Sequence, residues 1–268
     1  MLVVLLVLIL LAAAYILSVR GRKGHPGLKL LQGWSYAHRG LHDENRPENS
    51  MAAFRAAKEK GYGVELDIHL LADGNLAVIH DSLLKRTTGA EGSIEELTTE
   101  QLSQYSLEGT EETIPTLQQV LELFDGQVPL IVELKAENGN HAALCQEACR
   151  QLAESQGAYC MESFDPFCVH WLKKNRPEIV RGQLSSNFMK AKKPKSWLLR
   201  FVVTNQLENF LTLPDFTAYR FSNRKNLSNF IIRRLWGVQG VTWTLCSKEE
   251  YDIAVQEGWI PIFENFEP

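Results

Sequence analysis

Between His38 and Asp81 the chain concentrates side chains able to move protons and hold a hard cation: His38-Arg39-Gly40, Pro47-Glu48-Asn49, Glu65-Leu66-Asp67, Asp73-Gly74 and His80-Asp81. An imidazole titrates at about 6.5, so two of them can supply the base that activates an attacking oxygen and the acid that protonates a leaving alkoxide. Either histidine alone is more often structural. Together, each ending an apolar strand-like run beside carboxylates, His38 and His80 point to cleavage of a phosphodiester. Asp81 is placed either to orient the His80 ring or to begin the next loop.

Glu65 and Asp67 are separated by one residue, so a strand presents both on one face. Carboxylates that close raise each other's pKa unless a cation neutralises them; an ordinary solvated strand end is the plainer alternative. Glu133 closes the apolar run Leu130-Ile131-Val132, where an unpaired buried acid costs several kcal/mol, and it offers a third ligand from another strand. Three oxygen donors without cysteine favour one divalent cation, Mg²⁺ or Ca²⁺, over zinc. Arg39 can grip two phosphate oxygens at once. Lys135 shares the Glu133 face and adds a second positive charge for the phosphoryl group. Glu48 reads either as a contact to the ligand or a further support of the metal, or as an acid favouring the start of the helix after Ser50.

These residues need a scaffold that brings strand ends together. Apolar strand-like runs at 35–38, 64–69, 76–80, 130–134, 158–163, 180–184, 216–220, 241–245 and 261–263 alternate with helical patterns at 50–60, 116–124, 141–155, 167–175, 227–236 and 248–257. Such alternation predicts parallel strands with crossover helices. At 268 residues the chain suits one α/β barrel, typically about 250 residues long, whose chemistry sits where the strands end. His38, Glu65, Asp67, His80, Glu133, Lys135 and Ser163 all fall at or near such ends. Nine candidate strands exceed eight, and the hairpin-like Asp73-Gly74 link suggests that one of the second and third runs is an antiparallel excursion.

Composition narrows the function classes. A net charge of −4 lacks the strongly basic balance of nucleic-acid binders. The 5 cysteines are odd in number and sit in helical and strand patterns, which favours buried free thiols over disulfides; a zinc or redox role for Cys145 and Cys149 is the minor alternative. Residues 1–19 carry no charge and are followed by Arg20, Arg22 and Lys23. This reads as a single transmembrane anchor with the catalytic domain on the cytoplasmic side. A secretory signal cleaved near Ala12-Ala13-Ala14 competes, but no Lys or Arg precedes the apolar run. Residues 20–33 then read as a juxtamembrane linker and 34–268 as the globular domain.

The ordered set resembles the glycerophosphodiester phosphodiesterase family, with Pro115-Thr116-Leu117, Glu133-Leu134-Lys135, Ser163-Phe164-Asp165 and Trp243-Thr244 similar to further family positions. The resemblance implies a TIM (β/α)8 barrel here preceded by the transmembrane helix. It also implies one divalent cation on Glu65, Asp67 and Glu133, acid–base catalysis by His38 and His80, and substrate contacts from Arg39, Lys135, Glu48 and Trp243. The implied reaction hydrolyses small-molecule glycerophosphodiesters to glycerol 3-phosphate and an alcohol. The chain departs from the family near its end: a Thr-Asp pair followed by proline is usual, whereas Glu264-Asn265 stands here with Pro268 beyond. That exchange puts specificity in question more than activity.

The stretch 188–230 is least family-like. Lys190, Lys192, Lys193, Lys195 and Arg200 surround Trp197-Leu198-Leu199 and Phe201-Val202-Val203, a mixture that suits an anionic bilayer surface or, more simply, a solvated barrel loop and helix. Two rivals accompany the main reading. One is lysophospholipase D-type cleavage on the same barrel, favoured by any large apolar slot beside the rim. The other is a membrane-tethered protein that binds lipids or glycerophosphodiesters without turnover.

Overall fold

The structure is a computed structural model that describes residues 1–190 and 196–268. Lys192, Lys193 and Lys195 of the basic stretch lie outside the described residues, as does the side chain of Lys190.

Among the described residues nine strands form one sheet: β1 (Tyr36–His38), β2 (Gly63–Leu70), β3 (Leu76–Val78), β4 (Leu130–Leu134), β5 (Tyr159–Ser163), β6 (Arg181–Ser185), β7 (Phe216–Arg220), β8 (Gln239–Leu245) and β9 (Trp259–Phe263). Eight pair in parallel in the order β1-β9-β8-β7-β6-β5-β4-β2, and β2 pairs back onto β1 to close a TIM-like barrel. The ninth, β3, runs antiparallel to the upper end of β2 through Ile68↔Val78 and Leu70↔Leu76. It is the excursion that the Asp73-Gly74 turn predicted, and it opens a segment with its own small core of Leu71, Ile79, Leu84, Ile94 and Leu102.

The two-residue period of the strands sorts their side chains. Along β4, Ile131 joins the apolar cluster with Tyr36, Leu184, Phe216 and Ile262 inside the barrel, whereas Val132 packs outward with Leu66, Phe54 and Leu144. Glu133, next after Val132, therefore turns inward again at the upper end. The covering helices begin where capping side chains permit: Ser50 Oγ accepts from Ala53 N at 3.1 Å to start Met51–Glu59, Thr116 forms a capping box before Leu117–Phe124, and Asp165 caps Pro166–Asn175. Each cap satisfies backbone N–H groups that the first helical turn leaves unpaired.

The expectation of a membrane-spanning anchor is corrected. Among the described residues no helix is long and apolar enough to cross a membrane. The N-terminal helix Leu2–Ser18 has 17 residues, which at 1.5 Å each gives about 25 Å against a hydrocarbon core of about 30 Å. Its last turn is also engaged by the barrel. Tyr15 Oη donates to Asn205 Oδ1 at 3.2 Å and Trp236 Nε1 donates to the Ile16 carbonyl at 2.9 Å, while Val19 is buried with Ile232 and Val238. The absence of charge before Arg20 was therefore an incomplete guide, because part of that run belongs to the protein's own packing. A single-pass membrane protein with a cytoplasmic catalytic domain does not follow.

The residues read as a linker lie against the barrel's lower end. Arg22 Nη2 donates to Asp215 Oδ2 at 2.7 Å and Nη1 to the Pro177 carbonyl at 2.8 Å, and Leu28 and Leu31 are buried in the interior apolar cluster. Four of the cysteines, Cys145, Cys149, Cys160 and Cys168, are buried free thiols, while Cys246 is free and exposed. The helix Trp197–Thr204 lies in the stretch for which a barrel loop and helix was the simpler reading, and Trp197, Leu198 and Leu199 on it are exposed.

Candidate active site

Parallel pairing brings the chemical residues to one rim. β1 and β2 are in register at His38↔Glu65, and β2 and β4 at Asp67↔Glu133, so four residues separated by up to 95 positions face the same space. Ligand oxygens of Glu65, Asp67 and Glu133 all lie within 4.8 Å of one another, and all three residues are buried. β4 and β5 add the register pair Glu133↔Glu162, bringing a fourth buried acid whose Oε2 has no hydrogen-bond partner. The sequence reading passed over Glu162, although its position just before Ser163 at an apolar strand's end was a usable signal.

These acids are electrostatically unlike one another. Burial pushes Glu65 well above the usual carboxylate range, with repulsion from Asp67 and Glu133 adding to it. Burial, partly offset by Lys135, pushes Glu133 up to about 7. Burial would raise Asp67 too, but Lys135 and Arg39 outweigh it and hold that carboxyl well below its ordinary value. Lys135 Nζ forms ion pairs with Glu133 Oε1 at 2.7 Å and Asp67 Oδ1 at 3.0 Å. Converging buried oxygens, left under-satisfied and mutually repelling, fit a hard divalent cation.

The two histidines line one cavity of about 140 Å³ together with Arg39, Glu65, Glu162 and Trp243. His38 Nδ1 is 2.6 Å from Glu264 Oε2, and its Nε2 lies 3.8 Å from Glu65 Oε2. His80 Nδ1 is 2.6 Å from Asp81 Oδ1, and Asp81 is in turn bound by Arg86 Nε. Burial lowers both histidines from their ordinary value, more than Glu264 and Asp67, respectively, can raise them. At neutral pH both rings are thereby biased towards the uncharged form.

Arg39 adopts a left-handed φ of 56°, uncommon for a side chain larger than glycine and frequent at functional sites. The next residue must be glycine: at Gly40, φ is +83° and an added Cβ would meet Ala53 Cβ at 2.9 Å. This tight turn carries Arg39 across the rim, with Nη1 donating to Glu48 Oε1 at 2.9 Å and Nε lying 3.4 Å from Asp67 Oδ2 without a hydrogen bond. Glu48 binds Arg86 as well, at 2.6 and 3.0 Å. It therefore braces two arginines, while Ser50 does the helix capping. Asn49 Nδ2 donates to Asp67 Oδ2 at 2.9 Å. Trp243 packs edge-to-face on Phe164 with ring centroids 5.7 Å apart, and its buried Nε1 has no partner.

A second, larger cavity of about 950 Å³ opens beside the first, sharing His80, Glu133 and Phe164 with it. Lys135 stands at its charged side, and Leu83, Phe167, Leu199 and Val203 supply apolar wall.

The closed parallel barrel gathers imidazoles, cations and a nest of buried carboxylates at its strand ends, the end at which barrel enzymes carry their chemistry. Residues 38–266 match the model of the glycerophosphoryl diester phosphodiesterase family. The chain belongs to that family, whose named members are phosphoric diester hydrolases. It is 33% identical over 158 residues to a glycerophosphodiester phosphodiesterase of Caldanaerobacter subterraneus, covering 55% of this chain and 65% of that protein. It is 36% identical over 115 residues to a rat lysophospholipase D, covering 38% of this chain and 36% of that one. The fold is similar to that of an Oleispira antarctica phosphodiesterase solved with sn-glycerol-3-phosphate, with a TM-score of 0.72 at 24% identity over 91% of this chain and 95% of that one.

Proposed function

We propose that this protein hydrolyses glycerophosphodiesters to glycerol 3-phosphate and an alcohol, using His38 and His80 as the proton-transfer pair. The observation that carries this reading is that both imidazoles line one cavity with Glu65 and Glu133, whose ligand oxygens lie within 4.8 Å of each other and of Asp67. Arg39 and Lys135 are the cations that would hold the non-bridging phosphate oxygens, with Glu48 fixing the Arg39 guanidinium. One imidazole takes a proton from the attacking water as its oxygen bonds to phosphorus. The other, acting from its imidazolium form, which burial makes the minor one at neutral pH, delivers a proton to the departing alkoxide as the P–O bond breaks. Trp243 offers an unpaired indole N–H to a substrate oxygen. Glu65, Asp67 and Glu133 are the residues that would hold Mg²⁺ or Ca²⁺, which would supply neutralisation of developing phosphoryl charge.

The 950 Å³ cavity favours a second reading on the same machinery. Its apolar wall includes Leu83, 66% exposed, and Phe167, 57% exposed, and such a slot suits an acyl chain better than a small polar alcohol. Lysophospholipids cleaved in the phospholipase D manner would place the acyl group there.

Incubating the full chain with glycerophosphocholine and, separately, with lysophosphatidylcholine, each with Mg²⁺, Ca²⁺ or chelator, tests both readings. Glycerol 3-phosphate from the first substrate supports the main reading, and lysophosphatidic acid formed faster from the second shifts weight to the alternative. Binding of either compound without any phosphate ester cleaved would leave only a non-catalytic binding protein.

A further inference from the structure

Glu264 stands where the chain departs from its family, and its surroundings give the departure a purpose. β9 pairs with β1 at Tyr36↔Ile262 and Ala37↔Phe263, so the next residue along, Glu264, arrives level with His38. Its backbone N–H donates to the Leu245 carbonyl at 3.0 Å, fixing it to β8 as well. Oε2 then lies 2.6 Å from His38 Nδ1. The following residue turns away: Asn265 has φ of 63°, and its exposed side chain reaches only Glu264 Oε1, at 3.5 Å. An acid at 265 would not occupy the place that Glu264 fills.

We infer that Glu264 is the positioning residue of His38, fixing its ring so that Nδ1 carries the proton and Nε2 presents its lone pair to the reacting phosphate. An ionised carboxylate only accepts hydrogen bonds, so contact at 2.6 Å requires Nδ1 to be the donor. In the neutral ring the proton is then absent from Nε2, the nitrogen nearer the acid nest, at 3.8 Å from Glu65. Partner-set tautomers of this kind govern whether an imidazole is ready to act. His42 Nε2 sits 3.7 Å from the same Glu264 oxygen and lacks a hydrogen bond; it flanks the carboxylate without displacing His38. The inference rests on the proposed role of His38.

The test uses the full chain and two measurements. In ¹⁵N-histidine NMR, wild type should show His38 protonated at Nδ1, and Glu264→Ala should move the ring towards the Nε2-protonated form. With glycerophosphocholine, Glu264→Ala should lower kcat roughly 10²-fold, within the span of acid–base contributions. KM and the thermal upshift given by Mg²⁺ or Ca²⁺ should stay near wild type. Glu264→Gln, which retains an acceptor oxygen without the charge, should recover part of the rate. An unchanged tautomer in Glu264→Ala overturns the inference whatever the activity. So does a wild-type kcat in that variant, or a loss shared equally by KM and ion binding. If wild type cleaves no glycerophosphodiester, the functional reading fails separately, and the NMR result still decides the role of Glu264.

Discussion

Two polar regions of this barrel are buried to a similar degree yet behave differently. Inside the upper rim, Glu65, Asp67, Glu133 and Glu162 crowd together with atoms left unpaired. Behind β6 and β7, between sheet and helices, one chain of neutral groups is matched partner to partner, although Arg181, Glu208 and Asn209 around it each keep an unpaired atom. Thr217 Oγ1 donates to Gln206 Oε1, Gln206 Nε2 to Asn229 Oδ1 at 2.8 Å, and Tyr219 Oη to the Thr204 carbonyl at 2.9 Å. A satisfied neutral network contributes to specifying one packed arrangement. A cluster of unsatisfied, repelling charges does not stabilise the fold by itself, which agrees with the proposed cation site. Polarity in a core is thus a poor guide to function until the partners are counted.

The sharpest way to break this contrast is to withhold the ion. Chelation should bring turnover to background, and adding Mg²⁺ or Ca²⁺ should raise the melting temperature saturably, as any ligand of the native state does. Glu65→Gln should blunt that rise. Full activity in chelator would show that the rim acids serve something else. Next in size, His38→Ala should cut kcat by roughly 10²–10⁴-fold with an unchanged circular dichroism spectrum; a rate near wild type would remove His38 from the chemistry.

The outer layer offers two complementary tests of stability. Glu208 is one of its irregular members, buried with Oε2 unpaired, and burial pushes it from 4.5 up to about 8. Because the folded state holds this proton more tightly than the unfolded state, the associated stability is present below about pH 4.5 and is lost as pH rises towards 8. Glu208→Gln should therefore be more stable than wild type at pH 8, with the gap closing by pH 5; equal melting temperatures at pH 8 would contradict the assignment. Smallest is Thr217→Val, which strands Gln206 Oε1 and should cost about 1–3 kcal/mol in denaturant unfolding, with kcat unaffected. A fall in kcat there would dissolve the distinction between the two regions.

Much of the rim was legible because strand chemistry is local. Glu65-x-Asp67 fixes two side chains on one face whatever the rest does, and the apolar run before Glu133 announces a buried acid. The antiparallel excursion was legible from Asp73-Gly74, since a tight hairpin reverses the chain. Glu162 and Glu264 were harder to read: each is one acid on one strand, given meaning only by the neighbour that sheet register supplies. The N-terminal run misled for the reverse reason. Hydropathy records how apolar Leu2–Ser18 is, but not that Tyr15, Ile16 and Val19 are engaged by the barrel.

The sequence by itself determined the alternation of strands and helices, the alternate-residue carboxylates and the imidazoles at strand ends, because those depend on backbone periods and residue chemistry within a few positions. Only the tertiary structure decided which acids meet, that His38 faces Glu264, and that the first helix ends against the barrel. Those outcomes depend on closing the sheet, which sets distant residues side by side through a register that short-range patterns do not encode.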